Sequence, residues 1–160
     1  MHRGIRAMSG GFRRRRARDG WKTRLDGPRD AAPTRVLLAE DDDEMRRMLA
    51  EVLRRDGYLV TEARDGLELT DRICRSLFDV EADDAPDILV SDIRMPGRSG
   101  LDVLSLLRGA DAGIPIILIT GFGDDETCRR AERLGADALL DKPLDLDELR
   151  ATVHRHAPPV

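Results

Sequence analysis

Residues 88–97 read ILVSDIRMPG, and this stretch decides the fold. Three apolar residues and a serine lead directly to Asp92, and the turn-forming pair Pro96 and Gly97 follows soon after. A short apolar run that is bounded by turn residues is typical of a strand buried on both faces. The stretch therefore predicts a buried strand that carries a carboxylate to its carboxyl end.

The same alternation of a short apolar run and an amphipathic segment continues in both directions from this strand. The predicted strands cover residues 34–40, 58–63, 88–92, 114–120 and 136–140, and the predicted helices cover residues 42–57, 66–78, 100–110, 124–135 and 145–156. Five strand–helix cycles are too few for an eight-stranded barrel. They predict an open parallel sheet with helices on both faces, a three-layer α/β/α sandwich. The pattern does not determine the strand order.

Apolar side chains at helical spacing mark the faces expected to pack on the sheet. They are Met45, Met48, Leu49, Val52 and Leu53 in the first predicted helix, and Leu67, Ile73 and Leu77 in the second. The two cysteines, Cys74 and Cys128, have no CxxC spacing and are interpreted as small buried hydrophobic residues. Two cysteines that form neither a disulfide nor a metal site fit a protein of a reducing compartment.

Charge is distributed unevenly along the chain. Residues 1–34 contain ten Lys or Arg residues and three Asp residues, whereas the remainder contains 17 basic and 28 acidic residues. Residues 1–33 also lack a sustained hydrophobic period, so they are predicted to be a disordered basic arm. Residues 34–157 are predicted to form one domain, and residues 158–160 a short tail. The arginines at 13–16 fit contact with nucleic acid or an acidic membrane, but an inert extension is the favoured interpretation.

Apolar run length limits the expected location of the chain. No run reaches the roughly 18 residues that a membrane span needs. The arm contains no apolar stretch of about 7–15 residues of the kind that secretory signals carry. A cytoplasmic protein is therefore expected.

Polar residues follow the predicted strands at one end. Glu40 and Asp41 follow the first strand, Asp92 ends the third, Thr120 ends the fourth, and Lys142 comes shortly after the fifth. Ligand sites in open α/β sheets lie beyond the carboxyl ends of the strands. Clustered carboxylates suit Mg²⁺, and a carboxylate that stays ionised there can act as a nucleophile towards phosphorus.

A structural interpretation of the first acidic group stays open at this point. Acidic residues after a strand are often a helix N-cap and its first turn, and Asp42 or Asp43 fits that position. Glu40 and Asp41 fit a cap and a site about equally well by themselves. All of these polar residues follow the carboxyl ends of their strands, and this shared placement favours a site.

The motifs VLLAEDD, ILVSDIRMPGRSGLDVL, IPIILITG and DALLDKPLDLDEL resemble the receiver domain of response regulators, the phosphoaccepting module of two-component signalling. The resemblance extends from about Thr34 to His156. It implies a flavodoxin-like (βα)₅ fold with strand order 2-1-3-4-5. It also implies a cis peptide bond between Lys142 and Pro143.

The resemblance assigns a role to each polar residue at the strand ends. It implies that Asp92 is the phosphoacceptor and that Asp41, Asp92 and the carbonyl of Arg94 bind Mg²⁺, with Glu40 acting through water. It further implies that Thr120 is the switch hydroxyl and that Lys142 contacts the phosphoryl group.

Partners are implied by the same resemblance. The phosphoryl donor would be a sensor histidine kinase or a histidine phosphotransfer protein. A downstream protein would bind the face built from helix 4, strand 5 and helix 5, and a homodimer is left open. No DNA-binding unit or other output domain is expected within these 160 residues.

The chain departs from the family pattern at the position three residues before Lys142. Relatives often have an aromatic residue there, but this chain has Leu139. An aromatic rotamer switch is therefore not expected, and the signal is expected to pass through Thr120 and the loop after strand 4. Arg94 and Phe122 are predicted to control access of water to the phosphorylated carboxylate.

Three alternatives compete with a phosphoaccepting receiver: a phosphatase, a degenerate receiver and a nucleotide-binding module. A phosphatase of the haloacid-dehalogenase type also phosphorylates a strand-end aspartate, but it needs an acid two residues later, where this chain has Arg94. A degenerate receiver that acts as a protein scaffold is the second alternative, and the intact polar set argues against it. No nucleotide-binding glycine motif opens any predicted helix.

Overall fold

The computed structural model of the chain describes residues 32–79, 84–121 and 124–160. Five strands and five helices alternate along these residues. The strands are β1 (Arg35–Ala39), β2 (Leu59–Ala63), β3 (Ile88–Asp92), β4 (Ile116–Thr120) and β5 (Ala138–Asp141). The helices are α1 (Asp43–Arg55), α2 (Gly66–Phe78), α3 (Gly100–Gly109), α4 (Asp125–Leu134) and α5 (Leu146–His156).

All four strand pairings are parallel, and the sheet order is β2-β1-β3-β4-β5. This confirms the predicted fold class and the strand order that the resemblance implied. β3 and β4 lie inside the sheet and are buried at every residue. Burial on both faces explains their nearly continuous apolar sequences.

Two hydrophobic cores cover the two faces of the sheet. One core contains Leu69 and Ile73 of α2 together with buried residues of α3 and α4. The other contains Leu49 and Leu53 of α1 and Val153 of α5. The domain is therefore the three-layer sandwich that the sequence predicts.

Side-chain caps fix where each helix begins. The residue before every helix accepts a hydrogen bond from a backbone amide of the first turn, which satisfies one of the unpaired helix donors. These caps are Asp42, Asp65, Ser99, Asp124 and Asp145. α4 ends at Gly135, whose φ of 85° lies in the left-handed region that glycine adopts without strain.

Two side chains predicted to face the core are exposed instead. The buried residues of α1 are Leu49, Ala50 and Leu53, and this arc leaves Met48 on the opposite side with 40% of its surface exposed. Leu67 lies in the first turn of α2, away from the buried arc, and is 63% exposed. Both assignments were wrong because helical spacing alone allows more than one apolar arc.

Smaller predictions had mixed outcomes. Cys128 is buried, but Cys74 is only half-buried, so the expectation of burial was wrong for Cys74. The fifth strand was predicted to end at residue 140, but Asp141 is the last residue of β5. The peptide bond between Lys142 and Pro143 is cis, as the resemblance implied. Almost all of the predicted basic arm lies outside the described residues.

No helix in the described ranges is long and apolar enough to cross a membrane. This agrees with the absence of a long apolar run in the sequence. The finding applies to the described residues alone.

Candidate functional site

The carboxyl edge of the sheet brings three charged side chains together. β1 and β3 are neighbours, so Glu40, directly after β1, lies beside Asp92 at the end of β3. Lys142 follows β5, and its backbone amide donates a 2.7 Å hydrogen bond to the carbonyl oxygen of Thr120 at the end of β4. Parallel pairing therefore gathers residues that are separated by up to 102 positions in sequence.

Lys142 links the two buried carboxylates. Its Nζ atom lies 2.6 Å from Oδ2 of Asp92 and 3.2 Å from Oε2 of Glu40. The Lys142 side chain keeps 27% of its surface exposed, whereas Glu40 and Asp92 are almost completely buried. Burial lowers the pKa of Lys142, but the hydrogen bonds and charges of Asp92 and Glu40 more than offset this and raise it above its usual range. The ammonium group is thus charged at neutral pH.

The position of Asp92 is fixed by backbone contacts at the end of β3. Its Oδ1 atom accepts a hydrogen bond of 3.0 Å from the backbone amide of Arg94. α3 begins close to this strand end, since a Cβ atom at Gly100 would lie 2.6 Å from the carbonyl oxygen of Asp92. Glycine is required there because a real Cβ atom would displace the strand end or the helix.

Glu40 is the group whose pKa departs most clearly at this edge. Burial raises its pKa to about 7 from an ordinary value of 4.5, and the nearby charge of Asp92 adds to the increase. The 3.1 Å hydrogen bond from the backbone amide of Asp42 and the charge of Lys142 act in the opposite direction. Desolvation of a carboxylate favours its neutral form, so this site holds Glu40 close to its titration point at neutral pH.

The contacts after β1 show which acidic residue caps α1. Asp42 is the N-cap of α1, and its side chain accepts a 2.8 Å hydrogen bond from the amide of Met45. Asp43 lies in the first helical turn. Glu40 does not cap the helix, because its side chain faces Asp92 and Lys142.

Arg46 is a contributor that the sequence reasoning missed. Its Nη1 atom donates a 2.9 Å hydrogen bond to the carbonyl oxygen of Glu40. The same side chain forms ion pairs with Asp43 and Glu62, and only 11% of it is exposed. A basic residue near the start of a helix opposes the helix dipole. The sequence signal for Arg46 is only partial, because Arg47 has the same placement and is exposed.

Asp41 completes an acidic cluster at this edge. One carboxylate oxygen from each of Glu40, Asp41 and Asp92 lies within 4.8 Å of the others, and Asp41 is exposed. Three oxygen donors with one solvent-facing side suit Mg²⁺, which binds few carboxylates and keeps several waters. One lysine cannot neutralise three carboxylates, so the donor set fits a divalent cation.

Two further predicted residues, Thr120 and Arg94, are joined to this edge by backbone hydrogen bonds to Lys142 and Asp92. Thr120 is buried at the end of β4, beside Asp141 of β5 in the sheet register. Arg94 is exposed in the loop after β3. Hydrogen bonds from Thr127 lower the pKa of Asp124 at the start of α4, and the charge of Arg94 lowers it further by a smaller amount. Phe122 lies outside the described residues.

A doubly wound parallel sheet with clustered carboxylates and a lysine at its carboxyl edge defines a class of α/β domain with an acidic pocket. Within that class, the chain belongs to the family of response regulator receiver domains, whose family model matches residues 36–154. The sequence resemblance is therefore confirmed, and the chain is a receiver domain of two-component response regulators.

Known proteins support this membership over most of the domain. The chain is 40% identical over 124 residues to the C4-dicarboxylate transport transcriptional regulatory protein DctD of Pseudomonas aeruginosa, and the match covers 78% of this chain and 25% of that protein. It is 28% identical over 124 residues to the sporulation initiation phosphotransferase F of Bacillus subtilis, covering 78% of this chain and 94% of that protein. The chain thus spans about a quarter of the first relative and nearly all of the second.

A solved structure shows the same fold. The receiver domain of the Francisella response regulator 1452 superposes with a TM-score of 0.68 at 27% sequence identity. The superposition covers 76% of this chain and 94% of that one.

Proposed function

We propose that Asp92 accepts a phosphoryl group from a phosphohistidine on a sensor kinase or a histidine phosphotransfer protein. A carboxylate oxygen of Asp92 attacks phosphorus, and a P–O bond forms while the P–N bond to the imidazole breaks. The electron pair of that bond leaves with the imidazole nitrogen, so the product is an acyl phosphate on Asp92 and a neutral histidine. The observation that carries the proposal is the contact of Lys142 with both Asp92 and Glu40.

Metal binding is proposed at the acidic cluster. Asp41, Asp92 and the carbonyl oxygen of Arg94 would hold Mg²⁺ directly, and Glu40 would act through water. The bound cation would offset the negative charge that the incoming phosphoryl group adds. The Asp42 amide donates to the second carboxylate oxygen of Glu40, and Arg46 donates to its backbone carbonyl oxygen, so these contacts hold Glu40 in position.

Lys142 and Thr120 are proposed to hold the phosphoryl oxygens. The Lys142 ammonium group already contacts the nucleophilic carboxylate, so a phosphoryl group formed on Asp92 remains within its reach. The Thr120 hydroxyl would donate to a second phosphoryl oxygen. Since Lys142 also donates its backbone amide to the Thr120 carbonyl, the two residues are coupled through β4 and β5.

Relay to a partner is proposed through α4, β5 and α5. β4 ends at Thr120, and α4 begins at Asp125 shortly after it. Residue 139 of β5 is a leucine, buried in the core with 3% of its surface exposed, so no aromatic side chain is present there to change rotamer. The signal is therefore proposed to pass through Thr120 and backbone shifts after β4. We propose residues 34–157 as the functional unit.

Intact-mass measurement after incubation with acetyl phosphate and Mg²⁺ tests this function. The wild-type chain is expected to gain a single adduct of about 80 Da. Asp92→Asn removes the nucleophile and is expected to gain none. Asp147→Asn, an exposed position in the first turn of α5, is the matched control and is expected to keep the adduct.

Two outcomes would contradict the proposal. Retention of the adduct in Asp92→Asn would place the phosphoacceptor elsewhere. No adduct in the wild-type chain, with native circular dichroism and with beryllofluoride also failing to bind, would support the alternative of a degenerate receiver that acts as a scaffold.

A further inference from the structure

α2 carries two large apolar side chains on its solvent side. Among the described residues, six large hydrophobic side chains are exposed, and the two most exposed outside the chain terminus are Leu67 at 63% and Phe78 at 78%. Both belong to α2, one in its first turn and one at its end. The helix therefore exposes an apolar side chain near each of its two ends.

The positions between them complete one stripe. Leu67, Asp71, Cys74 and Phe78 are separated by four, three and four residues, which is the spacing of a helix–helix seam. We call these four residues and the adjacent Arg75 the α2 outer face. Cys74 is half-buried, and Asp71 and Arg75 are exposed.

Among the described residues, the two charges on this face pair with each other within α2. The Arg75 Nη2 atom lies 2.9 Å from Asp71 Oδ2, with side-chain exposures of 73% and 58%. An exposed pair spaced by four residues contributes roughly 0.3–0.5 kcal/mol. Both groups can therefore exchange partners at little cost.

The apolar and charged groups along the α2 outer face are arranged so that the face can match a second copy of itself. Two such helices placed antiparallel about a twofold axis bring Leu67 against Phe78 of the partner subunit at each end. The same arrangement brings Asp71 near Arg75 of the partner subunit twice in the middle. Apolar groups meet apolar groups and opposite charges meet, which is the condition for an isologous contact.

We propose that the α2 outer face is the contact surface of a weak symmetric dimer of this chain. A partner of one charge sign would match only Asp71 or only Arg75, whereas a second copy matches both. The inference does not depend on phosphorylation of Asp92, and it uses a different surface from α4, β5 and α5.

Contacts beneath the helix hold this face in one shape. The backbone amide of Gly66 donates a 3.1 Å hydrogen bond to the carbonyl oxygen of Pro96. Leu67 packs directly over Gly97, since a Cβ atom there would lie 2.7 Å from Cγ of Leu67. The apolar end of the stripe is thus ordered before association, which lowers the entropic cost of binding.

The size of the surface sets the expected strength. α2 has 13 residues, which makes it about 20 Å long. One helix pair of that length buries less than the roughly 1,600 Å² of a standard stable interface. The dimer is therefore expected at protein concentrations of about 100 µM and above, and not at about 1 µM.

Sedimentation velocity on the full chain from about 10 to about 500 µM tests the proposal. The wild-type chain is expected to shift towards dimer as concentration rises. Asp71→Arg is expected to raise the dimer dissociation constant at least tenfold, because arginine then faces arginine. The double change Asp71→Arg with Arg75→Asp restores opposite charges and is expected to return the constant to within about threefold of wild type.

Glu51→Arg on α1 is the matched control, since it makes the same change of charge sign at the first residue of an exposed acid–arginine pair spaced by four residues. It is expected to leave the dissociation constant unchanged. A monomeric wild-type chain at 500 µM, failure of the double change to restore association, or equal weakening by Glu51→Arg would each overturn the proposal.

Cross-linking with a short bismaleimide gives a second readout. Cys74 lies near the middle of α2, close to the proposed twofold axis, and Cys128 is buried in the core. The wild-type chain is expected to form a covalent dimer that Cys74→Ser abolishes and Asp71→Arg strongly reduces. Cross-linking that persists in Cys74→Ser, or is equally efficient in Asp71→Arg, would contradict the antiparallel contact.

Discussion

The two ends of the sheet each contain a contact between a basic side chain and an aspartate, but the surroundings differ. At the amino end, Arg108 contacts Asp137 at 2.9 Å and also donates to the carbonyl oxygens of Gly135, Ala112 and Ile114. The same oxygen of Asp137 accepts a hydrogen bond from the amide of Ile116. Donors and acceptors are matched there, so the contact locks the ends of α3, α4, β4 and β5.

The carboxyl end has the opposite balance. One lysine contacts two buried carboxylates, and a third carboxylate lies within 4.8 Å of both. Crowded carboxylates disfavour one another and are costly to keep ionised. The amino end is therefore arranged for stability, while the carboxyl end retains excess negative charge of the kind that a divalent cation offsets.

Removing the Arg108 side chain removes its contacts at the amino end of the sheet and has the largest expected effect on stability. Arg108→Ala removes one of two donors to the Asp137 carboxylate and the Arg108 donors to three carbonyl oxygens, and it is expected to cost about 3–4 kcal/mol in lost hydrogen bonds. Urea unfolding measures the change. Arg133→Ala, which removes an exposed pair with Glu126, is the control and is expected to cost about 0.5 kcal/mol or less. A decrease of less than about 1 kcal/mol in the free energy of unfolding for Arg108→Ala would show that the Arg108 contacts contribute little to stability.

Glu40 gives the carboxyl end a pH signature in the absence of divalent cations. The folded pKa of about 7 exceeds the ordinary value of 4.5, so the unfolded chain loses this proton first as pH rises. The free energy of unfolding is therefore expected to fall by about 2–3 kcal/mol between those two pH values and to level off above them.

Glu40→Gln is expected to remove this decrease, because glutamine does not titrate. Urea unfolding at several pH values in the presence of a chelator makes the measurement. Glu51→Gln, at an exposed site on α1, serves as the control that keeps the decrease. Identical pH dependence of the unfolding free energy in wild type and Glu40→Gln would show that folding does not raise the pKa of Glu40.

The smallest expected change in stability is at Thr152, a buried polar side chain in α5. Its side chain is fully buried in α5, and its hydroxyl oxygen has no hydrogen-bond partner among the described residues. Since no function is proposed for this group, Thr152→Val is expected to stabilise the fold by about 1 kcal/mol. Thermal unfolding with Thr61→Val, at an exposed strand position, as the control checks it. Destabilisation by Thr152→Val would mean that the hydroxyl has a favourable contact.

The sequence predicted the elements closely where local signals agree. α2 and β3 begin and end at the predicted residues, because Asp65 caps the helix and Asp92 ends a buried run of three apolar residues and a serine. The order of the strands followed only from the family resemblance, since a pattern of five strand–helix cycles fits several orders. Met48 and Leu67 were misplaced because helical spacing does not show where the sheet lies.

Contacts that join distant segments could not be predicted from the sequence. Arg108 bonds mainly to backbone carbonyl oxygens, which any residue type provides. The position of Glu40 against Lys142 could be expected from strand ends, but its burial and raised pKa depend on how α1 and β2 close over it. Arg46 has a partial signal, which is its unfavourable place near the helix N-terminus.

The dependence of stability on Mg²⁺ tests the central contrast most directly. Calorimetry with and without Mg²⁺ at about ten times its dissociation constant is predicted to show a gain of about 1.4 kcal/mol in the wild-type chain. The same gain is predicted in Arg108→Ala, whose change lies at the other end of the sheet, and it should be lost in Asp41→Asn. An equal gain in Asp41→Asn, or no gain in the wild-type chain, would contradict the account.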